Sequence, residues 1–131
     1  MTTTRSDCPC GSVLPYADCC EPLHLGAPAP TAEVLMRSRF SAFALGLTSY
    51  LLASWHPSTR PDDLELDADV TWRRLQIVDT VAGGVNDQDG VVEFRASFRG
   101  PEGAGLLQER SRFRREGADW YYVDGDVSSS S

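Results

Sequence analysis

Four cysteines, Cys8, Cys10, Cys19 and Cys20, fall within thirteen residues in the pattern C-x-C, eight residues, C-C. Thiolates are soft donors, and four this close together can complete a tetrahedron around one zinc ion. Pro9 stiffens the first turn, and Gly11-Ser12 lets the chain double back with backbone N–H groups near the sulfurs. Asp18-Cys19-Cys20-Glu21 reads as the end of a short helical turn closed by Pro22. Adjacent cysteines can both bind one ion only if the backbone bends sharply between them. His24 is an alternative ligand in place of Cys20. Four protein donors leave no open position for a reactive water, so the expected zinc is single and structural. The competing readings are free or redox-active thiols and a transient Cys8–Cys20 disulfide, which a reducing compartment disfavours.

A second place for chemistry is the stretch 105–115. Leu107, Glu109, Ser111 and Phe113 share one strand face; Arg110, Arg112 and Arg114 share the other. If Leu107 and Phe113 enter a core, Glu109 follows, and an inward carboxylate needs a partner. Arg37 or Arg39 is the expected one. The preferred role for Glu109 is a structural ion pair. The alternative makes it a general acid or base in an apolar pocket, with His56 and Tyr50 as further catalytic candidates and Ser111 and Arg39 beside them. His56 also suits a hydrogen bond at a helix end, and Trp55, Trp72, Trp120, Tyr121 and Tyr122 suit packing, with the lining of a ligand pocket as the alternative.

Charge limits the partners. The net charge is −7, so the chain has no global basic field for nucleic acid. All twelve cationic residues are arginine, which excludes lysine Schiff-base chemistry and a phosphate-loop lysine. Arg110, Arg112 and Arg114, with Arg115 beside them and Arg95 and Arg99 across the strand pair, form the one basic stripe. It is a candidate for local RNA or phosphate contact, unless the five carboxylates of 61–70 neutralise it. That acidic stretch itself reads as a solvated loop rather than a calcium site. No apolar run is long enough to span a membrane, and Met1–Asp7 has no apolar stretch behind Arg5, so a cytoplasmic location is expected.

The elements that must hold these groups follow from periodicity. Thr31 caps a helix with Glu33 in its first turn, Val34, Leu35, Phe40, Phe43 and Ala44 at helical spacing, and Gly46 at its end. A short helix over about 48–54 precedes Pro57. Strands are predicted over 72–81, 90–99, 105–115 and 119–124. In the second, Val92, Phe94, Ala96 and Phe98 alternate with Glu93, Arg95, Ser97 and Arg99. Helices followed by an antiparallel meander define an α+β fold.

Cys8-Pro-Cys-Gly-Ser12 with Tyr16 and Cys19-Cys20 resembles the SEC-C motif, the small zinc module that also ends the SecA translocation ATPase. With Pro22–Gly26, Thr31–Phe43, Tyr50-Leu51, Trp55–Arg60 and Trp120–Gly125, nearly the whole chain resembles the YchJ family of bacterial proteins. The resemblance implies a SEC-C zinc segment (1–25), a Pro/Ala linker (26–30) and a domain similar to nuclear transport factor two (31–127), followed by a serine tail (128–131). In such a domain a curved four-stranded antiparallel sheet curls around a helix into a cone. By analogy with the SecA module, the resemblance implies a protein or ribosomal partner. The expected role is therefore a non-enzymatic zinc-binding adaptor, with homodimerisation through the sheet as a further candidate.

Overall fold

The computed structural model describes residues 8–11, 14–66 and 69–129, with Ser128 and Ser129 as backbone. A 3₁₀ turn at Tyr16–Asp18 leads into α1 (Glu21–His24), α2 (Ala32–Leu45) and α3 (Thr48–Ala53). Four strands follow: β1 (Thr71–Ala82), β2 (Asp89–Gly100), β3 (Gly103–Glu116) and β4 (Asp119–Ser129). They form one antiparallel sheet in the order β1-β2-β3-β4, the meander expected of this sequence.

α2 begins and ends where its caps require. The Val34 N–H donates to Thr31 Oγ1 at 3.2 Å, and Gly46 takes a left-handed conformation at φ 75° that glycine adopts without strain. The helix is buried on more than one side. Leu35, Met36 and Phe40 meet the sheet, and Ser38, Arg39, Ser41 and Ala42 are buried as well. No single apolar stripe describes it, because sheet, α3 and the cysteine segment all pack around it.

β2 shows the predicted alternation, with Val92, Phe94 and Ala96 buried against the helices. β1 breaks that period. Register shifts between Trp72 and Arg74 and between Ile77 and Asp79 bring Trp72, Leu75 and Ile77 to one core. β4 runs past the expected end at Asp124, and the backbones of Ser128 and Ser129 pair with Gln108 and Leu107. A further shift between Arg112 and Phe113 sets Phe113 opposite Tyr122 and Ser111 opposite Gly125. The 54–56 segment is sewn to β4: the Tyr122 N–H donates to the Ser54 carbonyl at 2.9 Å and the His56 N–H to the Tyr122 carbonyl at 2.7 Å.

Pro22 does not close a helical turn. The turn before the paired cysteines stops at Asp18, and Pro22 lies in the first turn of α1. Proline suits that position because a first-turn N–H has no intrahelical acceptor to lose. The acidic segment is an irregular loop with Asp62, Asp63, Glu65 and Asp69 exposed; Asp67 lies outside the described residues.

Candidate metal centre and inner cavity

The cysteine segment folds back on itself. The Gly11 N–H donates to the Cys8 carbonyl at 3.0 Å, with Gly11 at φ 92°, and the Cys8 N–H donates to the Leu14 carbonyl at 3.0 Å. Ser12, expected to contribute to this turn, lies outside the described residues. At Cys19 the backbone leaves helical geometry (φ −122°, ψ −93°), and Cys20 returns to it. That bend lets two adjacent side chains face one point.

The four Sγ atoms lie within 4.8 Å of one another. Cys10 and Cys19 sulfurs are 3.6 Å apart, and those of Cys19 and Cys20 3.9 Å. A tetrahedron with Zn–S near 2.3 Å has edges of about 3.8 Å. The donor set therefore fits a metal that prefers four thiolates. Cys8, Cys10 and Cys20 are buried, and Cys19 is half-buried. Hydrogen bonding with Cys10 and then burial push the Cys20 thiol far above its ordinary pKa, while the bond from Ser41 pulls the other way. A divalent cation among the sulfurs reverses that penalty by favouring the thiolates.

The domain supplies the surroundings of this cluster. The buried Ser41 hydroxyl on α2 lies 3.4 Å from Cys8 Sγ and 3.3 Å from Cys20 Sγ. Arg37 donates to the Cys10 carbonyl at 3.2 Å and also pairs with Glu33 at 3.0 Å. His24 stands apart from the sulfurs in its bonding. Its Nε2 donates to the Ser38 carbonyl at 2.8 Å, so Nδ1 accepts from the Tyr16 hydroxyl at 2.6 Å. With both ring nitrogens engaged, His24 has no lone pair for a metal, and the alternative of His24 for Cys20 falls away.

The catalytic candidates separate. Glu109 does face inward, but neither expected arginine pairs with it. Arg37 is on the cysteine side, as above. The Glu109 carboxylate accepts at Oε2 from the Ser111 hydroxyl (2.8 Å) and the Tyr122 hydroxyl (2.9 Å). Burial and the neighbouring Glu109 charge raise the Tyr122 hydroxyl well above the usual tyrosine range. Tyr50 is elsewhere: its hydroxyl bonds Ser38 Oγ at 2.7 Å, its ring meets His24, and it borders an outer cleft of about 450 Å³ with Leu23, Ala29 and Trp120. His56 is on the surface side of β4, where Nε2 bonds Glu116 at 2.9 Å and Nδ1 accepts the Ser58 N–H at 3.1 Å. Neither Tyr50 nor His56 lines the space around Glu109.

That space is a cavity of about 200 Å³ between α2, Trp55 and the inner face of the sheet. Met36, Phe43 and Phe94 form its apolar wall; Arg39, Glu109, Ser111 and Tyr122 are its polar groups. Arg39 is 3 % exposed. Its guanidinium lies 5.1 Å from the Trp55 ring and 4.6 Å from the Tyr122 ring, a cation–π arrangement on both. Its Nη1 donates to the Leu51 carbonyl at 2.9 Å and to Ser54 Oγ at 2.6 Å. Desolvation lowers its pKa to about 10, still leaving it charged at neutral pH.

The arginine stripe lies on the outer face and is already paired. Arg110 bonds Asp79 (3.1 Å) and Glu93 (2.9 Å); Arg112 bonds Asp124 (2.5 Å) and Asp126 (3.0 Å); Arg114 is 3.5 Å from Glu116. Asp79, Glu93, Asp124 and Asp126 come from the other strands and Glu116 from β3 itself; among the described residues none of these partners belongs to the 61–70 loop. Arg95 bonds Gln108, and Arg115 donates to the Val85 carbonyl.

Ser41 has no place in the sequence reading of either site; Trp55 and Tyr122 entered it as packing residues, with the lining of a ligand pocket as the alternative, and both line the cavity. Ser38 and Ser41, two small polar residues three apart on a helix that also carries Glu33, Arg37 and Arg39, were a weak signal for the first. For the other two, only the register of β4 reveals the position.

A four-cysteine cluster held against an α+β domain with a small inner cavity defines a SEC-C protein with a domain of the nuclear-transport-factor-2-like class. Comparison with known proteins agrees: residues 6–22 match the SEC-C motif, and residues 31–125 match the YchJ middle NTF2-like domain. The chain belongs to the YchJ family, whose curated members carry the name UPF0225. It is 52 % identical over 120 residues to the UPF0225 protein SCO1677 of Streptomyces coelicolor, covering 91 % of this chain and 94 % of that one. It is 51 % identical over 130 residues to a UPF0225 protein of Chromobacterium violaceum, covering 95 % of each. The solution structure of RPA3114, a SEC-C motif containing protein from Rhodopseudomonas palustris, matches with a TM-score of 0.80 at 32 % identity, over 95 % of this chain and all of that one. The crystal structure of a SEC-C motif containing protein from Psychrobacter arcticus matches with a TM-score of 0.75, also at 32 % identity, over 95 % of this chain and 84 % of that one. Among the described residues, no helix is long and apolar enough to cross a membrane.

Proposed function

We propose that this chain is a cytoplasmic, non-enzymatic zinc protein that acts as an adaptor. Cys8, Cys10, Cys19 and Cys20 hold one zinc ion, which fastens the N-terminal segment to the domain. The observation that carries this reading is the convergence of four sulfurs within 4.8 Å. When bound, the ion supplies a cross-link, and four protein donors leave no position for substrate. The segment has few apolar residues of its own, so the metal and the contacts of Ser41, Arg37 and His24 provide its fixed shape. Fixed in this way, it presents Leu14 (48 % exposed) and Leu25 (80 % exposed) to solvent, and these are the residues assigned to a protein or ribosomal partner.

Elemental analysis of untagged protein tests the metal. One zinc per chain, lost in Cys19→Ser, is expected; four titratable thiols and no metal would overturn the reading. Co-sedimentation with ribosomes, comparing the natural chain with Leu25→Asp, tests the ribosomal partner. A second reading, small-molecule binding in the inner cavity, is favoured by one observation. The buried Arg39 donates to Leu51 and Ser54 through Nη1, and beside it the buried Trp55 Nε1–H has no partner among the described residues.

A further inference from the structure

The inner cavity holds two opposite charges that do not meet. Arg39 and Glu109 both line it, yet no N···O distance between them falls within ion-pair range among the described residues. Each is only partly satisfied. Arg39 uses Nη1 for the Leu51 carbonyl and Ser54, and leaves Nε and Nη2 without protein acceptors. Glu109 receives both of its hydrogen bonds at Oε2, and its Oε1 has no protein donor. Trp55, whose ring lines the same cavity, has a buried Nε1–H with no partner. Burying a cation against neutral acceptors and aromatic rings is costly unless an anion also reaches it. An anion alone would leave the cavity with a net negative charge beside Glu109. The remaining wall, Met36, Phe43 and Phe94, offers no polar atoms to a ligand except the weak thioether of Met36.

We infer that this cavity binds a small zwitterion of the amino-acid class, with its carboxylate toward Arg39, its ammonium toward Glu109 and a short aliphatic group against Met36, Phe43 and Phe94. This rests on the second reading above and names its ligand class. Size agrees: at about 30 Å³ per water-sized group, a cavity of about 200 Å³ holds roughly seven such groups, between alanine and valine in bulk. Ser111 and Tyr122 fix the Glu109 carboxylate through Oε2, and the Trp55 and Tyr122 rings flank the guanidinium at 5.1 and 4.6 Å.

The test is a titration of the full chain, as purified, with L-valine and with its two halves, isobutylamine and isovalerate, read by calorimetry and tryptophan fluorescence. L-Valine is expected to bind, and each half about tenfold more weakly or worse, because each loses one charge-assisted hydrogen bond. Glu109→Gln keeps acceptors for Ser111 and Tyr122; it should lower L-valine affinity to that of isovalerate and leave isovalerate binding undiminished. Isovalerate binding as tightly as L-valine would overturn the zwitterion while keeping the cavity as an anion site. Absence of heat and of fluorescence change with all three compounds would overturn both. L-Valine binding that Glu109→Gln does not weaken would overturn the assignment to this cavity.

Discussion

The Ser41 hydroxyl on α2 donates to the Cys20 sulfur at 3.3 Å, across 21 positions of sequence. Both residues are almost fully buried. The cysteine cluster is therefore not a finger on a tether. One of its walls is the central helix of the domain, and two residues before Ser41, that same helix places Arg39 in the inner cavity. The candidate metal site and the domain packing share one helix.

Ser41→Ala should separate the hydroxyl from the packing, since alanine fits the same space. Loss of the bonds to Cys8 and Cys20 is expected to weaken zinc binding by about 10–100-fold, the usual effect of removing a group that orients metal ligands. Competition with a chromophoric chelator measures it. Unchanged affinity would mean that the hydroxyl only fills space.

What the sequence revealed, and what it hid, divides along physical lines. Strict period-two alternation made β2 readable, and the Thr31 and Gly46 caps fixed α2, because each signal is local. The cysteine spacing was readable for the same reason. The partners of Glu109 were not. Arg39 lies on the right helix, but Tyr122 reaches the carboxylate only because a register shift opposite Arg112 and Phe113 places it there. His24 looked like a spare ligand until both its nitrogens proved to be used by Tyr16 and Ser38. Such long-range choices leave no local trace.

Metal removal should act on the domain as well as on the segment. Chelation is expected to lower the thermal midpoint of the whole chain in one cooperative transition, because α2 loses the cover over Ser38 and Ser41. Zinc re-addition under reducing conditions should restore it. A midpoint indifferent to the chelator, with zinc shown to leave, would place the domain's stability entirely in the sheet and α2.

The His56–Glu116 pair gives a pH signature. The bond from His56, and then the nearby Arg114, hold the Glu116 carboxyl below its ordinary pKa of 4.5. A depressed folded-state pKa means stability that is present above the ordinary value and lost as pH falls through the folded one. Urea midpoints followed from neutral pH into the acid range should therefore fall more for the natural chain than for Glu116→Gln. Both groups are near solvent, so the difference is small. Parallel curves would show that the pair contributes nothing.

Gly125 makes room for Glu109. A Cβ there would lie 2.8 Å from Glu109 Cδ, so Gly125→Ala forces the carboxylate away from Ser111 and Tyr122. A loss of about 1–3 kcal/mol is expected, typical of overpacking. In the double variant with Glu109→Ala most of that loss should disappear, because the clash has no second partner. Urea denaturation of the four chains gives the coupling. Additive effects would mean that the strain comes from the backbone of β4 instead.

The outer face should reject polyanions, although it carries the chain's basic stripe. Arg110, Arg112 and Arg114 face five carboxylates, Asp79, Glu93, Asp124, Asp126 and Glu116, so these three cations are already neutralised. A phosphate would have to displace a formed ion pair and approach the partner carboxylate at the same time. Fluorescence polarisation with a short single-stranded RNA is expected to show no binding at physiological salt, where screening leaves little long-range attraction. Asp124→Asn with Asp126→Asn frees Arg112 and should bring weak, salt-sensitive binding into view. Tight binding by the natural chain would reverse the argument and make the paired arginines a surface that opens for RNA.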